Sequence, residues 1–133
     1  MDRVDDLKIL RSIKGVGPKT AAPFLAGMGE VQNYASHKKL IAFTGIEPSL
    51  DQSGKYLGIS KLSKRGNRHL RRAVYLVTAA VVSKNPFFKS YFLRRKREGL
   101  PPQKALFATA DKLIRVIFAM LSNRTLFKVK EAI

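Results

Sequence analysis

The stretch Asn67-Arg-His-Leu-Arg-Arg-Ala-Val-Tyr-Leu-Val-Thr-Ala-Ala-Val81 has the period of an amphipathic helix. Its apolar residues recur every three or four positions, which places them on one face. They are Leu70, Ala73, Val74, Val77 and Val81. The side chain of Asn67 is suited to cap the start of this helix. The stretch therefore predicts a long helix that begins at Asn67, packs on a core through one face and carries Arg68, Arg71 and Arg72 on the other.

Helical patterns also occupy most of the remaining chain. They cover residues 4–12, 18–29, 36–43, 86–97 and 102–122, and Gly or Pro separates one from the next. In the 36–43 helix we expect Ser36 as the N-cap, with Leu40, Ile41 and Phe43 facing inward. The fold class that these patterns predict is all-α, with five to six helices.

The segment from Gly45 to Gly66 interrupts these patterns. Pro48, Gly54, Gly58 and Gly66 punctuate it, and no helical period is present. We predict an irregular basic insert here, which could hold a short hairpin through Tyr56 to Leu62. The chain then divides into an N-terminal unit (1–30), the insert (45–66) and a helical core (67–133) within one domain.

The charge of the chain points to a polyanionic partner. The 133 residues are 45% hydrophobic, which is enough for one compact core, yet the formal net charge is +17. Residues 52–97 hold thirteen of the 26 Lys and Arg residues and no Asp or Glu. A surface without internal acids must find its counter-charge elsewhere, and each cation set against a phosphate releases a counterion. We therefore predict nucleic acid as the first partner.

Several other classes of function are disfavoured. The chain has no cysteine for a disulfide or a thiolate metal site, and its two histidines, His37 and His69, are too isolated to suggest zinc. The longest apolar run, residues 73–82, is too short to cross a membrane. The N-terminus carries three aspartates and no apolar signal sequence. We expect no metal in this chain, no membrane role and a cytoplasmic location.

The motif Ile13-Lys-Gly-Val-Gly-Pro-Lys-Thr-Ala-Ala22 has the form of a helix-hairpin-helix. Gly15 and Gly17 would permit a tight turn and a close backbone approach around Val16, and Pro18 is suited to the first position of the next helix. Amides at that helix start would point at a phosphate oxygen, with Lys19 and Thr20 adding side-chain contacts. The competing interpretation is a purely structural turn.

Ser53-Gly-Lys55 is the candidate for chemistry. A serine hydroxyl can attack a phosphodiester if nearby cations hold the phosphate. Ser60 and Ser63 lie in the same basic insert and compete for this role, and an ordinary solvated serine also remains open. The residues expected to hold phosphate here and in the following helix are Lys55, Lys61, Lys64, Arg65, Arg68, Arg71 and Arg72. The aromatic residues Phe87, Phe88, Tyr91 and Phe92 could stack on bases, but their helical spacing favours core packing.

Three segments together resemble a known family. They are Gly15-Val-Gly-Pro-Lys-Thr-Ala21, Phe43-Thr-Gly-Ile-Glu-Pro-Ser-Leu-Asp-Gln-Ser-Gly54 and Ile59-Ser-Lys-Leu-Ser-Lys-Arg-Gly-Asn-Arg-His-Leu-Arg-Arg72. Their order and spacing resemble the C-terminal transposase domain of DEDD-type insertion-sequence transposases. This is the IS-one-ten group, also described as bridge-RNA-guided serine recombinases. The resemblance extends through Asn85-Pro-Phe and Lys104-Ala-Leu into the last helix.

The resemblance implies a composite active site. In that family a RuvC-like domain supplies acidic residues that bind Mg²⁺, and the C-terminal domain supplies a serine that becomes joined to DNA. The serine of the Gln-Ser-Gly motif corresponds to Ser53. DNA is then the partner, a guide RNA is left open, and the full-length enzyme is a homo-oligomer. The nine acids of this chain form no Mg²⁺-binding cluster, so we expect the RuvC-like half to be absent and the chain to bind nucleic acid without catalysing.

Two further functions stay open at the level of sequence. One is a non-catalytic helix-hairpin-helix module that holds DNA or structured RNA and has no need of the Ser53 hydroxyl. The other is a basic interaction protein unrelated to transposition, which the ordered motifs disfavour.

Overall fold

The computed structural model describes residues 3–46 and 57–129, and in them the fold is all-helical. Six α-helices and one short 3₁₀ helix (Val31–Asn33) follow one another without a strand in the described ranges. The α-helices are α1 (Arg3–Arg11), α2 (Pro18–Met28), α3 (His37–Thr44), α4 (Leu57–Lys84), α5 (Pro86–Arg97) and α6 (Pro102–Asn123). The predicted fold class is therefore confirmed.

Helix α4 is the centre of the domain. It packs against α2, α3, α5 and α6, and all five residues of its predicted apolar stripe are at most 4% exposed. Burying each leucine or valine side chain of the stripe contributes about 1.5–3 kcal/mol. The core that surrounds α4 comes from every other α-helix and includes Phe24, Leu40, Phe88 and Ile117, each fully buried.

The start of α4 differs from the prediction. The helix begins at Leu57, so Asn67 lies inside it and is not its N-cap, and the hairpin expected through Leu62 is wrong for residues 57–62. Gly58 and Gly66 each cost only about 1 kcal/mol relative to Ala. A helix already nucleated by its buried half gains a hydrogen bond for every residue added at the other end. The free energy gained by extending the helix therefore outweighs the cost of the two glycines.

The other helix starts and ends largely follow the predicted signals. Pro18 and Pro86 each open a helix, Ser36 is the N-cap of α3, and Gly29 follows α2 at a φ of 76°. Phe43 was predicted to face inward and is instead 39% exposed, with its ring centroid 5.8 Å from that of Tyr34. That prediction was wrong because the buried face of α3 is completed by Leu40, Ile41 and Thr44.

Candidate nucleic-acid interface

The turn between α1 and α2 is fixed by its contact with α4. Gly15 has a φ of 104°, and a Cβ placed on it would lie 3.0 Å from the Cα of Val81 and 3.2 Å from the carbonyl oxygen of Ala80. Both neighbours are backbone atoms, which cannot move aside as a flexible side chain can. The close approach that Gly15 permits is thus an approach to α4.

Asn85 ties the same turn to the start of α5. Its Nδ2 donates to the carbonyl oxygen of Lys14 at 3.0 Å, while its Oδ1 accepts from the amides of Phe87 and Phe88. The residue is only 3% exposed. Asn85 therefore caps α5 and holds the turn with one side chain. The motif Asn85-Pro-Phe was part of the family resemblance, but the sequence did not show this second bond.

Gly17, unlike Gly15, is not packed against another element. It is the N-cap of α2 in extended conformation, with φ −108° and ψ 173°, and a Cβ there would meet no atom of the described chain within 4 Å. The first turn of α2 contains no acid, and Lys19 is exposed. This helix start is open, is positive through its dipole, and has space for an anion beside the backbone.

Two residues of the predicted hairpin contact are engaged inside the protein. Val16 is 7% exposed, and its amide donates to the carbonyl oxygen of Ile13 at 3.0 Å. The hydroxyl of Thr20 donates to the Gly17 carbonyl oxygen at 3.2 Å. Within the described part of the chain, the amides of Gly17 and Lys19 donate to no protein oxygen. These two amides are the donors available to a phosphate.

The exposed face of α4 carries the arginines that the sequence placed there. Arg68 and Arg72 are exposed, one turn apart, whereas Arg71 is half-buried. One guanidinium nitrogen of Arg71 is buried and has no hydrogen-bond partner among the described residues. The same face continues into Tyr75 and Leu76, which are 49% and 45% exposed. Sequence reasoning missed these two because they lie in the long apolar run of the helix.

The remaining predicted contact residues are placed only in part. Lys61, Lys64 and Arg65 lie on the first turns of α4, as do Ser60 and Ser63. Ser53 and Lys55 lie outside the described residues. In the sequence, the candidate nucleophile Ser53 comes four residues before the first residue of α4.

The turn and the arginine face lie at different ends of one helix pair. Gly15 contacts α4 at Val81, while Gly27 lies against Leu70, so α2 runs antiparallel to α4. At a rise of 1.5 Å per residue, Arg68 and Val81 are about 20 Å apart along α4. Arg68 and Arg72 also lie roughly half a turn around the helix from Leu70. Among the predicted contact residues whose side chains the structure describes, the α1–α2 turn and the arginines of α4 thus form two separate regions.

Residues 3–46 and 57–129 contain no group of three or more His, Cys, Asp or Glu side chains placed to hold a metal ion. No helix among these residues is long and apolar enough to span a bilayer.

Comparison with known proteins decides the family. The model of the transposase IS116/IS110/IS902 family matches residues 7–93, from α1 into α5. The chain belongs to this family. The matched region includes the α1–α2 turn, the Gln-Ser-Gly motif and the whole of α4, so the family resemblance of the sequence is confirmed at this level.

Individual relatives agree with the family match. The 43.6 kDa protein of insertion element IS110 from Streptomyces coelicolor is 31% identical over 120 residues, which cover 90% of this chain and 30% of the relative. The 44.8 kDa protein of insertion element IS116 from Streptomyces clavuligerus is 31% identical over 126 residues, or 94% of this chain and 32% of the relative. A pilin gene-inverting protein of Moraxella bovis is 28% identical over 124 residues, which cover 90% of this chain and 38% of the relative. The chain spans about a third of the length of these relatives.

Proposed function

We propose that this chain is the DNA-binding, serine-bearing domain of an insertion-sequence transposase, as the DEDD-type resemblance of its motifs implies. Ser53 is the nucleophile of the proposed reaction, and the basic residues near it in the sequence and on α4 hold the phosphodiester that it attacks. The hydroxyl oxygen of Ser53 gives up its proton and bonds to phosphorus, the bond from phosphorus to one deoxyribose oxygen breaks, and that oxygen takes up a proton and leaves as a hydroxyl. The chain works with a RuvC-like domain whose acidic residues bind Mg²⁺, in an assembly of several subunits.

One observation carries the proposal. Helix α4 begins four residues after Ser53, and the chain from Gln52 to Arg97 contains no acid. The N-terminal end of a helix is positive, and here it is followed by Lys61, Lys64 and Arg65 within its first turns. We infer that the phosphate that Ser53 attacks is held at this helix start, because a positive helix end and nearby cations in the sequence would stabilise a developing phosphorane charge.

Binding to duplex DNA is the first part of the proposal to test. Phosphate contacts from two regions about 20 Å apart along α4 require a duplex of roughly six base pairs or more, because a base pair rises 3.4 Å. The logarithm of the affinity should fall steeply with the logarithm of salt concentration, by about 0.9 per neutralised phosphate, with roughly five phosphates engaged. An affinity that hardly changes with salt would refute phosphate-dominated binding.

The open helix start at Gly17 gives a sharper test of the same surface. Gly17→Val places a branched side chain where the backbone would approach a phosphate, and should weaken binding to all DNA sequences equally. The matched control is Gly29→Val, because Gly29 ends the same helix and its Cβ position is also free of neighbours, although its φ is 76°. If Gly17→Val keeps full affinity with an unchanged circular dichroism spectrum, the turn has only a structural role.

The chemistry is tested by a covalent adduct. Supplied with a RuvC-like domain, Mg²⁺ and, where required, a guide RNA, the chain should form a serine–DNA bond that denaturing electrophoresis detects. Ser53→Ala should abolish the adduct and leave DNA affinity nearly unchanged, since one neutral hydroxyl adds little to a strongly cationic surface. Ser60→Ala and Ser63→Ala are the controls. Mass spectrometry that finds the nucleotide on Ser60 or Ser63 would assign the nucleophile elsewhere.

A second candidate function is inversion of a DNA segment within one molecule. The match to the pilin gene-inverting protein of Moraxella bovis over 90% of the chain favours it. Both functions would use the same strand-joining chemistry, so a plasmid that reports excision, insertion and inversion separately distinguishes them.

A further inference from the structure

A small basic cavity lies between α5 and α6, and none of the predicted phosphate-contacting residues lines it. Its volume is about 220 Å³, and its lining consists of Phe87, Ser90, Tyr91, Arg94, Arg97 and Lys112. Three of these six side chains are cations, two are aromatic and one is a hydroxyl. The volume is below the roughly 300–1,000 Å³ of sites for drug-sized ligands, so the cavity suits one small anionic group with an adjoining ring.

Among the described residues, the three cations of the cavity have no carboxylate partner, whereas two neighbouring arginines do. Arg95 binds Glu98 at 2.7 Å, and Arg115 lies 3.6 Å from Asp111. In the described part of the chain, Arg94, Arg97 and Lys112 form no ion pair with a carboxylate. Glu98, directly after α5, and Asp111 of α6 are therefore engaged by the flanking arginines, and the cavity keeps its positive charge for a ligand.

The charge is concentrated enough to affect Lys112. Burial is the main cause that lowers the pKa of this side chain, and the positive charges of Arg115 and Arg94 lower it further. Each of these effects disfavours the ammonium form. A bound anion would oppose the two charge effects, so the free protein carries an electrostatic cost here that a phosphate would relieve.

Aromatic rings form the rest of the cavity wall. The guanidinium carbon of Arg94 lies 5.1 Å from the ring centroid of Tyr91. Phe87 is held in place by Phe88 and Phe127, at centroid distances of 5.0 and 6.4 Å. Cations beside an aromatic ring are the combination used to bind unpaired nucleotides, because the phosphate and the exposed face of the base can be contacted together. In a duplex the bases are stacked and paired, and their faces are not available.

We propose that the cavity between α5 and α6 binds one nucleotide of an unpaired nucleic-acid strand, with its phosphate between Arg94, Arg97 and Lys112 and its base against Tyr91. This inference rests on the proposed nucleic-acid role of the chain and adds a second site to it, specific for single strands. The strand can be DNA or RNA, because the phosphodiester and the base face are common to both.

The test compares two double variants of equal charge. Arg94→Gln/Arg97→Gln removes two cations from the cavity. Lys89→Gln/Lys104→Gln removes two exposed cations from the same two helices outside it. Fluorescence polarisation measures binding of each protein to labelled oligo(dT), oligo(rU) and a DNA duplex across a range of salt concentrations.

The expected result is a selective loss on the single strands. One phosphate fewer lowers the salt slope by about 0.7, which is about fivefold in affinity at 0.1 M salt relative to a 1 M reference. The control should lose less than about twofold, and duplex affinity should change equally in both variants. Tyr91→Leu should also weaken single-strand binding by about fivefold or more, while Tyr91→Phe should keep it.

The outcomes separate this proposal from the proposed function. If wild-type protein binds the duplex with steep salt dependence, and both double variants lose single-strand affinity equally, the cavity site is refuted and the DNA role stands. Wild-type protein that binds oligo(dT) and oligo(rU) no better than a neutral polymer also refutes the site. If wild-type protein does not bind the duplex, the proposed function is refuted instead. If the cavity variant melts at a lower temperature than the control, Arg97→Gln alone, at the exposed end of α5, replaces it.

Discussion

Replacing Gly15 by alanine tests the way α4 positions the α1–α2 turn. An alanine at a φ of 104° adopts a backbone conformation that costs about 1–3 kcal/mol for a residue with a side chain. Its Cβ would also lie 3.0 Å from the Cα of Val81, and overpacking against atoms that cannot move aside typically costs about 1–3 kcal/mol. Alanine also reduces the conformational entropy of the unfolded chain, which stabilises the folded state by about 0.4–1 kcal/mol. From the middle of each range we expect a net loss of about 3 kcal/mol in the free energy of unfolding.

Gly17→Ala is the matched control, two residues away. Its backbone angles suit any residue, and its Cβ would meet no atom of the described chain within 4 Å. Alanine is a poorer N-cap than glycine, but it gains a similar amount through the unfolded state. We expect a change of at most about 0.5 kcal/mol in the unfolding free energy, which is the usual range for an uninvolved surface position.

Urea unfolding followed by far-ultraviolet circular dichroism measures both variants. A shift of the midpoint at constant m-value reports the change in stability. Equal midpoints for Gly15→Ala and Gly17→Ala would refute the contact between the turn and α4. A large loss for Gly17→Ala would show that its surroundings are crowded and closed to a ligand.

Three further predictions concern the orientation of α4, the Asn85 cap and Tyr34. Val77→Ala should lower the unfolding free energy by about 1–3 kcal/mol, as a buried truncation, while Arg72→Ala should leave the melting temperature nearly unchanged and reduce DNA affinity; a reversed pattern would mean that α4 is rotated. Asn85→Ala should cost about 1–3 kcal/mol in urea unfolding, because it removes the cap of α5 and leaves the Lys14 carbonyl without that donor, and a loss below about 0.5 kcal/mol would contradict this role. Burial raises the pKa of Tyr34 above its usual value, so this tyrosine contributes stability below pH 10 that is lost as the pH rises further. Tyr34→Phe should make the fall in unfolding free energy above pH 10 shallower than in wild type, and identical alkaline profiles would refute the contribution.

Local sequence signals predicted much of the fold. The apolar stripe of α4 and the prolines that open α2 and α5 are properties of short segments, and periodicity and capping chemistry suffice to read them. The start of α4 could not be read in this way. Gly58 and Gly66 are local signals against a helix, whereas the helix there is extended from a buried half that only the tertiary structure supplies. Exposure of Phe43 likewise depends on which faces of α3 its neighbours cover.

The candidate site could be predicted only in its components. Basic residues and the Gly15 to Gly17 turn were visible in the sequence, because charge and glycine spacing are local. The way these residues are grouped in space could not be predicted, because it depends on α2 running antiparallel to α4 and on the side of α4 that Arg68 and Arg72 occupy. The cavity at Tyr91 joins residues of two helices, and such a combination has no signature in a single segment.

The segment after α6 joins the two ends of the described chain. Arg124 donates to the buried carboxylate of Asp6 across a separation of 118 residues, and the amide of Phe127 donates to the hydroxyl of Ser12 at 2.8 Å. Helix α1 therefore contacts α2 and is bonded, through Asp6, to a residue that follows the last helix, while Ser12 directly after α1 is bonded to another. Short terminal helices usually fray independently of the core. Here α1 and the C-terminal segment should open together as one cooperative unit, and hydrogen exchange should give their amides a common protection.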